Sequence, residues 1–419
     1  MKYLLFGGSG AIGRAVAWDL AADSRVDRVG IVGRRKESLL RTRDWIGGSK
    51  IVPHTQDILD RDQTQKLMGQ YDVGLLALPD RKTSYHLIHS AVESGFSLVD
   101  ILEEYHRRPD AFEREGLQIP EGLTLNQYGD WLHEKALRNN CTVLDGMGFA
   151  PGLSNITTAE GIRKCEKAET AVARVGGIPE REAASRHPLK YMITWSFEHV
   201  LREYMVRLNV LQGGRVTEVE AMTGRESFRF SELGRDAELE CAVTPGMPSF
   251  VFSRPGLKEF AEKTVRWPGH WDSIETLKQT GLLDNEPVDF EGRRISPREF
   301  MLHLLRPKLV PNEGESDVCV MWNSVTGTKN GKKVDIDYYM WEEADTDNGI
   351  SAMARVTGFP EAIAARYLAD GRITARGIVP PEDAFTGELY AGFIRDLRGR
   401  DIEIKEKLRF ERSEGSDQA

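Results

Sequence analysis

Cysteine is scarce: Cys141, Cys165, Cys241 and Cys319 are the only four in 419 residues, and none forms a CxxC or adjoins a histidine cluster. Such spacing offers neither a zinc site nor a disulfide framework and reads as thiols in a reducing compartment. Long apolar runs are missing as well. The mean hydropathy is −0.42 and no stretch of 18 apolar residues could span a bilayer. An apolar run that starts within five residues of Met1 leaves no room for a signal peptide, so a cytoplasmic protein with no membrane partner is expected. Positive charge is in deficit: 56 Lys and Arg face 65 Asp and Glu, for a net charge of −9 and a pI near 5.7. That balance argues against a nucleic-acid partner. There is no internal repeat or low-complexity block, and only the polar end "ERSEGSDQA" reads as a frayed tail.

Glycine, by contrast, is concentrated where it carries chemistry. "KYLLFGGSGAIGRAVAWDL" joins an apolar run, Tyr3 to Phe6, to a helical pattern in which Ile12, Val16 and Leu20 recur four apart. Between them lies GxGxxG at Gly8, Gly10 and Gly13. The spacing assigns Gly8 to the tight turn, Gly10 to close approach of a pyrophosphate, and Gly13 to close helix–strand packing, with Ser9, Ala11 and Ile12 completing the cradle. Val29–Val32, Ile51–Val52, Val73–Leu78 and Ser97–Val99 read as further strands, with helical stretches such as Leu87–Val92 between several of them. Strand, motif and helix in that order predict a Rossmann dinucleotide-binding fold.

At the end of the second strand, NAD-using folds usually carry a carboxylate for the adenosine ribose; this chain has Gly33, Arg34 and Arg35. An arginine fork suits a 2′-phosphate, so NADP is preferred and NAD remains possible. The alternative is that two solvated arginines merely begin a surface helix. Asp57 is placed either near the adenine edge or as a cap of the following helix. Leu78-Pro79, ending "LLALPD", is expected beneath the nicotinamide. A short-chain dehydrogenase needs a Tyr with a Lys four residues later, and none of the 11 tyrosines has one.

Farther on, "CTVLD" reads as a strand ending at Asp145, followed by "GMGFAPGLSN". This turn, with Gly148, Phe149, Pro151 and Gly152 before a helix opened by Ser154 and Asn155, is either a loop over the nicotinamide or an interdomain linker.

The blocks "FGGSGAIGRAVAWDL", "DGMGFAPGLSN", "VGGIP", "KYMITWSFEHVLREY", "VRWPGHWDSIETLKQTGLLD" and "SAMARVTGFPEAI…GIVPPE", in this order, resemble the saccharopine dehydrogenase-like family from Met1 to about Ile404. Within it they are most similar to the L-lysine 6-dehydrogenase branch. The resemblance implies an α/β protein: a Rossmann domain (1–125), completed by C-terminal helices (346–410), and an inserted α+β substrate and oligomerisation domain (126–345) on a mostly antiparallel sheet. The remainder, 411–419, is expected to be a disordered tail. "GKKVDIDYYMWEE" and "RVTEVEAM" do alternate like strands, and "PEAIAARYLADG" has a proline suited to a helix's first turn and Gly371 suited to its end. A homo-oligomer is implied, a dimer first.

The branch is read from particular positions. Saccharopine-forming or -cleaving relatives commonly carry an Asp before the Pro-Gly turn and a Cys before the Gly-Gly, where this chain has Ala150 and Val175. Those residues and the pair Glu203-Tyr204 match the lysine dehydrogenases. A departure is "TPGMPSF", Thr244 to Phe250, where those enzymes have a "DGLR" or "DGLS" segment, and they are mostly NAD-linked. The expected activity is NAD(P)-dependent oxidative deamination of L-lysine or a related diamino acid. The alternatives are a saccharopine-type reductase that joins an amine to a keto acid, and a noncatalytic NADP(H)-sensing protein.

Oxidising an amine needs a base. His270 in "WPGH" is the first candidate, since imidazole titrates near neutrality, unless it caps the helix beginning near Asp272 or binds a loop carbonyl. Asp145 and Glu203 are candidates to balance the substrate ammonium, Tyr191 and Trp195 to wall the cleft, and Lys190 or Arg186 to meet an α-carboxylate. His86 and His89, three apart on a helix without a third ligand, are read as surface residues, and no metal is expected.

Overall fold

The computed structural model describes residues 1–110 and 117–411. The first third builds parallel strands β1 (Lys2–Phe6), β2 (Arg28–Gly33), β3 (Ile51–Thr55), β4 (Val73–Leu76), β5 (Leu98–Asp100) and β6 (Thr142–Asp145). Their apolar residues, Tyr3 to Phe6 among them, are almost wholly buried, as strands covered by helices on both faces must be. Next come β7 (Lys167–Pro179), β8 (Arg207–Gln212), β9 (Arg215–Glu220), β10 (Glu226–Phe230), β11 (Ala237–Val243) and β12 (Glu259–Arg266). A small hairpin, β13 (Val288–Phe290) with β14 (Arg293–Ile295), precedes β15 (Asp317–Lys329) and β16 (Lys332–Glu343). The chain ends with β17 (Gly377–Val379) and β18 (Lys405–Phe410).

The parallel sheet has the order β17-β6-β5-β4-β1-β2-β3. Strand order reverses between β1 and β4, the crevice where open α/β sheets place their ligands. The sheet does not close by residue 125. β6, reached through the helix Leu125–Arg138, pairs with β5, so the dinucleotide fold extends through Asp145. The second sheet has nine strands, with the path β10-β11-β12-β7-β15-β16-β18, β8 pairing with β12 and β9 with β8. All its pairings are antiparallel except β12 with β7.

The C-terminal segment returns as expected, but with strands as well as helices: β17 joins the first sheet and β18 the second. Helix Ala352–Ala369 lies against helix Ala11–Ala22, where Arg366 donates to Asp19 at 2.6 Å and Arg400 donates to the same carboxylate at 2.6 Å. Pro360 sits inside that helix rather than in its first turn. Proline there removes a backbone bond at a cost of about 3 kcal/mol. Burial of nearly every residue from Ala354 to Leu368 offsets this, at about 1.5–3 kcal/mol for each large apolar side chain. Gly371, with φ +69°, follows the helix end as expected. Ser249 and Asn155 both donate to Glu382, at 2.8 and 2.9 Å, tying three separate stretches of sequence together. Among the described residues, no helix is long and apolar enough to cross a membrane, and the cysteines are free. The stretch 412–419 of the expected tail lies outside the described residues.

Candidate active site

The cradle is built by glycine packing. Gly7, not Gly8, makes the tight turn: its φ is +84°, and a Cβ there would lie 2.2 Å from the Ala77 carbonyl oxygen. The turns after β1 and β4 can touch only because residue 7 has no side chain. Gly8 instead lies against Ile31, while a Cβ on Gly13 would meet the Gly7 carbonyl oxygen at 2.3 Å, as the expected close packing requires. Helix Ala11–Ala22 begins here, and its first amides have no intrahelical partner, which suits a pyrophosphate. Ser9 lies beside Gly33, and Arg34 and Arg35 follow β2, exposed and without an ion pair among the described residues. Asp57 reaches no cradle residue. It accepts from the Leu59 amide at 3.0 Å in a local turn, and Asp60 caps the next helix instead.

A cleft of about 540 Å³ runs from this cradle to the second sheet. Gly10 to Gly13 and Ala77, Leu78 and Pro79 form one side. Phe149, Ala150 and Pro151, with Met353 and the half-buried Trp195, supply apolar walls. Gly148 and Gly152 shape this loop through backbone: the Gly148 amide donates to the Pro151 carbonyl, and Gly152 has φ +127°. Opposite lie Val175, Gly176 and Gly177 on β7 and Glu262, Thr264 and Arg266 on β12. Successive strand residues alternate faces, so 262, 264 and 266 share one, and parallel pairing sets Thr264 beside Val175.

Glu103, Glu203 and Glu262 bring three carboxyls into this cleft. Glu103 leaves the end of β5, and Glu203 ends the helix Phe197–Glu203; their side chains are 7% and 5% exposed. One oxygen of each carboxyl and a His199 ring nitrogen lie within 4.8 Å of one another, close enough for the two carboxyls to share a proton. Burial, then Glu103, holds Glu203 well above the ordinary carboxyl range, and burial raises Glu103 to about 8. His199 Nε2 lies 3.5 Å from Glu203 and 3.7 Å from Glu103, and burial lowers its pKa, favouring the neutral ring. These three side chains approach closely enough to hold a cation, but the raised pKa of both carboxyls fits a shared proton better. Glu262 Oε2 accepts from Thr244 Oγ1 at 2.7 Å and from the Gly246 amide at 3.0 Å. Burial raises its pKa to about 8. Arg266 donates through Nε to Tyr204 at 3.1 Å and through Nη1 to the Val265 carbonyl at 3.0 Å. Among the described residues it is the one guanidinium lining the cleft.

Several expected site residues stand elsewhere. His270 is buried behind the cleft wall: Nδ1 donates to the Leu189 carbonyl at 2.9 Å, leaving Nε2 to accept from Tyr204 at 3.2 Å. Burial lowers its pKa to about 3, so it stays neutral and faces no substrate. Asp145 ends β6 but accepts from His106 Nδ1 at 2.7 Å and from the His106 amide at 2.9 Å. Tyr191 is fully buried beneath Arg266, whose guanidinium lies 5.4 Å from its ring centre, and does not line the cleft. Lys190 donates to the Pro268 carbonyl and Arg186 pairs with Glu315, so neither reaches it. His89 is not a surface residue: it is buried against Tyr128 at 2.7 Å, while His86 is half-buried.

Glu103, His199, Glu262 and Arg266 escaped the sequence reading. In "EFAEKTVR" Glu262, Thr264 and Arg266 stand two apart, a polar spacing that ordinarily marks a solvent face, and the cleft turns that face inward. Glu103 lies in "LEEYH", where nothing separates it from its neighbour Glu104, committed to Arg81 at 2.7 Å.

Residues 4–125 match the saccharopine dehydrogenase NADP binding domain, and residues 148–402 match the saccharopine dehydrogenase C-terminal domain. The chain is 25% identical over 333 residues to the mitochondrial alpha-aminoadipic semialdehyde synthase of Bos taurus, covering 62% of this chain and 35% of that protein. It thus spans about a third of the length of such relatives. Others correspond end to end. The saccharopine dehydrogenase [NADP(+), L-glutamate-forming] of Saccharomyces cerevisiae is 22% identical, over 97% of this chain and 99% of that one. The carboxyaminopropylagmatine dehydrogenase of Synechocystis sp. is 20% identical, over 91% and 93%. In structure, an apo L-Glu-forming saccharopine dehydrogenase from Saccharomyces cerevisiae aligns with a TM-score of 0.75 at 18% identity, covering 97% of this chain and 99% of that one, which supports the fold.

Proposed function

Because the chain belongs to the saccharopine dehydrogenase family and its first third is that family's NADP-binding domain, we propose that it oxidises the C–N bond of a cationic amino acid, L-lysine or a related diamino acid, with NADP. The observation that carries this reading is the acid–base set of the cleft: among the described residues, three carboxyls of raised pKa and one guanidinium face the cradle. Such a wall offers an amine nitrogen several hydrogen-bond acceptors and a group that can take its proton, and offers a substrate carboxylate one cation.

NADP, when bound, supplies the hydride acceptor. The Glu103–Glu203 pair takes the proton that frees the nitrogen lone pair, a task for which raised carboxyl pKa values suit it. Loss of hydride from the adjacent carbon leaves a C=N bond; water adds at that carbon, ammonia departs with its electron pair, and an aldehyde remains. Arg266, whose Nη2 makes no hydrogen bond among the described residues, is suited to the substrate carboxylate. Phe149, Trp195 and Met353 keep bulk water from the reacting carbon. Ser9, Arg34 and Arg35 are assigned to the adenosine 2′-phosphate.

The second reading is reductive joining of an amine to a keto acid, favoured by the names of the relatives that correspond end to end. Reduced-nicotinamide absorbance separates the two. Formation of NADPH from L-lysine alone is expected; no signal with any diamino acid, but oxidation of NADPH when lysine and 2-oxoglutarate are both present, establishes the joining reaction. Tight NADPH binding without turnover in either direction would leave the nucleotide-sensing alternative. A homo-oligomer, a dimer first, in a reducing cytoplasm belongs to the same proposal: Phe290, Phe300 and Leu304 are 59%, 50% and 45% exposed on one subunit, and light scattering tests it.

A further inference from the structure

A second pocket of about 220 Å³ lies behind the carboxyl wall, and Glu103 and Glu262 line both cavities. Leu208, Met247, Phe252 and Phe260 give it apolar sides. Its remaining charges are paired with neighbours. Arg207 pairs with Glu218 at 2.6 Å, Arg108 with Asp130 at 2.7 Å, Asp110 with Arg202 at 2.8 Å, and Glu104 with Arg81 at 2.7 Å. What is left over is Glu262. It is 3% exposed; one carboxyl oxygen is held by Thr244 and Gly246, while Oε1 has no hydrogen-bond partner among the described residues. A buried carboxyl oxygen without a hydrogen-bond partner costs about 1–3 kcal/mol unless something supplies one.

The segment that holds Glu262 is Thr244–Phe250, where the sequence leaves the pattern of the lysine dehydrogenases. Thr244, Pro245, Met247 and Pro248 also line the second pocket. Gly246 is required there, since a Cβ would lie 2.6 Å from the Glu262 carboxyl carbon. The departure therefore builds a feature instead of deleting one.

We propose that this pocket is a subsite for a second cationic nitrogen, so that the protein takes elongated aliphatic amines whose far ammonium donates to Glu262 Oε1 while the near nitrogen lies at Glu103 and Glu203. The apolar sides suit the methylene chain, and an ammonium offers donors together with a positive charge that favours the ionised carboxyl, making the bond charge-assisted. The inference rests on the reading of the main cleft as an amine site.

Calorimetry on the NADP-loaded protein with 1,5-diaminopentane and 1-aminopentane tests it. The diamine should bind at least about tenfold more tightly than the monoamine, the worth of one charge-assisted hydrogen bond. That preference should disappear in Glu262→Gln and shrink in Gly246→Ala, each shown by its melting temperature to be folded. Equal binding of the two amines, binding of neither, or a preference that survives Glu262→Gln overturns the subsite. Nucleotide reduction reports separately on the main cleft: a diamine preference with no NADPH formed from any amino acid removes the proposed reaction and leaves the subsite standing.

Discussion

Two groups of buried carboxyls each draw a residue from the Ile101–His106 segment, and they differ in what neutralises them. In the first, at the ends of β5 and β6, Asp100 and Asp145 surround His106; Asp100 accepts from Ser84, and His106 Nδ1 reaches Asp145 at 2.7 Å. Burial disfavours the charge on His106, but Asp145 and Asp100 outweigh it and raise the imidazole to about 9. Each polar group has a partner. In the second, Glu103, Glu203 and Glu262 face a neutral His199 and the cations Arg266 and Arg202, and although Thr244 and Gly246 hold one oxygen of Glu262, Glu203 Oε1 and Glu262 Oε1 have no hydrogen-bond partner among the described residues. The same residue types hold the fold together where charges cancel and make a site where they do not.

The largest effect should come from the unsatisfied group. Glu203→Gln removes the titrating partner of Glu103 and should lower kcat for amine oxidation by about 10²–10⁴-fold. The melting temperature should fall little; a wild-type kcat would transfer Glu203 to the structural group. In the wild type the oxidation rate should rise with pH through about 8, the value to which burial raises Glu103, because the carboxyl pair must give up its proton first. A pH-rate profile flat from 6 to 9 would sink the assignment.

The satisfied group should answer in stability. His106→Ala leaves Asp100 and Asp145 buried with no cation and should cost about 3–5 kcal/mol in denaturant unfolding. The sign of the pH dependence follows from the raised imidazole. The protonated ring stabilises the fold fully below its ordinary 6.5, and this contribution is lost as pH rises through about 9. Burial also raises Glu103 and Glu262 to about 8, which adds a decline of the same sign at lower pH. Subtracting the His106→Gln curve from that of the wild type should isolate the upper window, and parallel curves would show that His106 is not charged in the fold.

Smaller effects test residues at the margins. Arg35→Asp should weaken NADP binding by about 10–100-fold more than NAD binding, since it sets a repelling charge where a phosphate partner is proposed. Equal losses would return Arg35 to the solvated surface. His270→Ala leaves the Tyr204 hydroxyl and Leu189 carbonyl without their partner and should cost about 1–3 kcal/mol of stability. Turnover per folded molecule should change little, and a loss as deep as that of Glu203→Gln would restore His270 to the chemistry.

By itself, the sequence determined the dinucleotide half: an apolar run, a glycine turn and a four-spaced helix are local patterns, and Gly10, Gly13, Leu78 and Pro79 line the cleft. It also determined the family, because its blocks stand in a fixed order along the chain. Tertiary structure decided which ionisable groups share a cavity. Glu103, Glu203 and Glu262 are far apart in the chain and are gathered by β5, a short helix and β12. His270, chosen for its chemistry, is turned by its own helix into the core. The physical reason is that backbone conformation follows from near neighbours, whereas a side chain's protonation and reach depend on burial and on charges brought near only by folding.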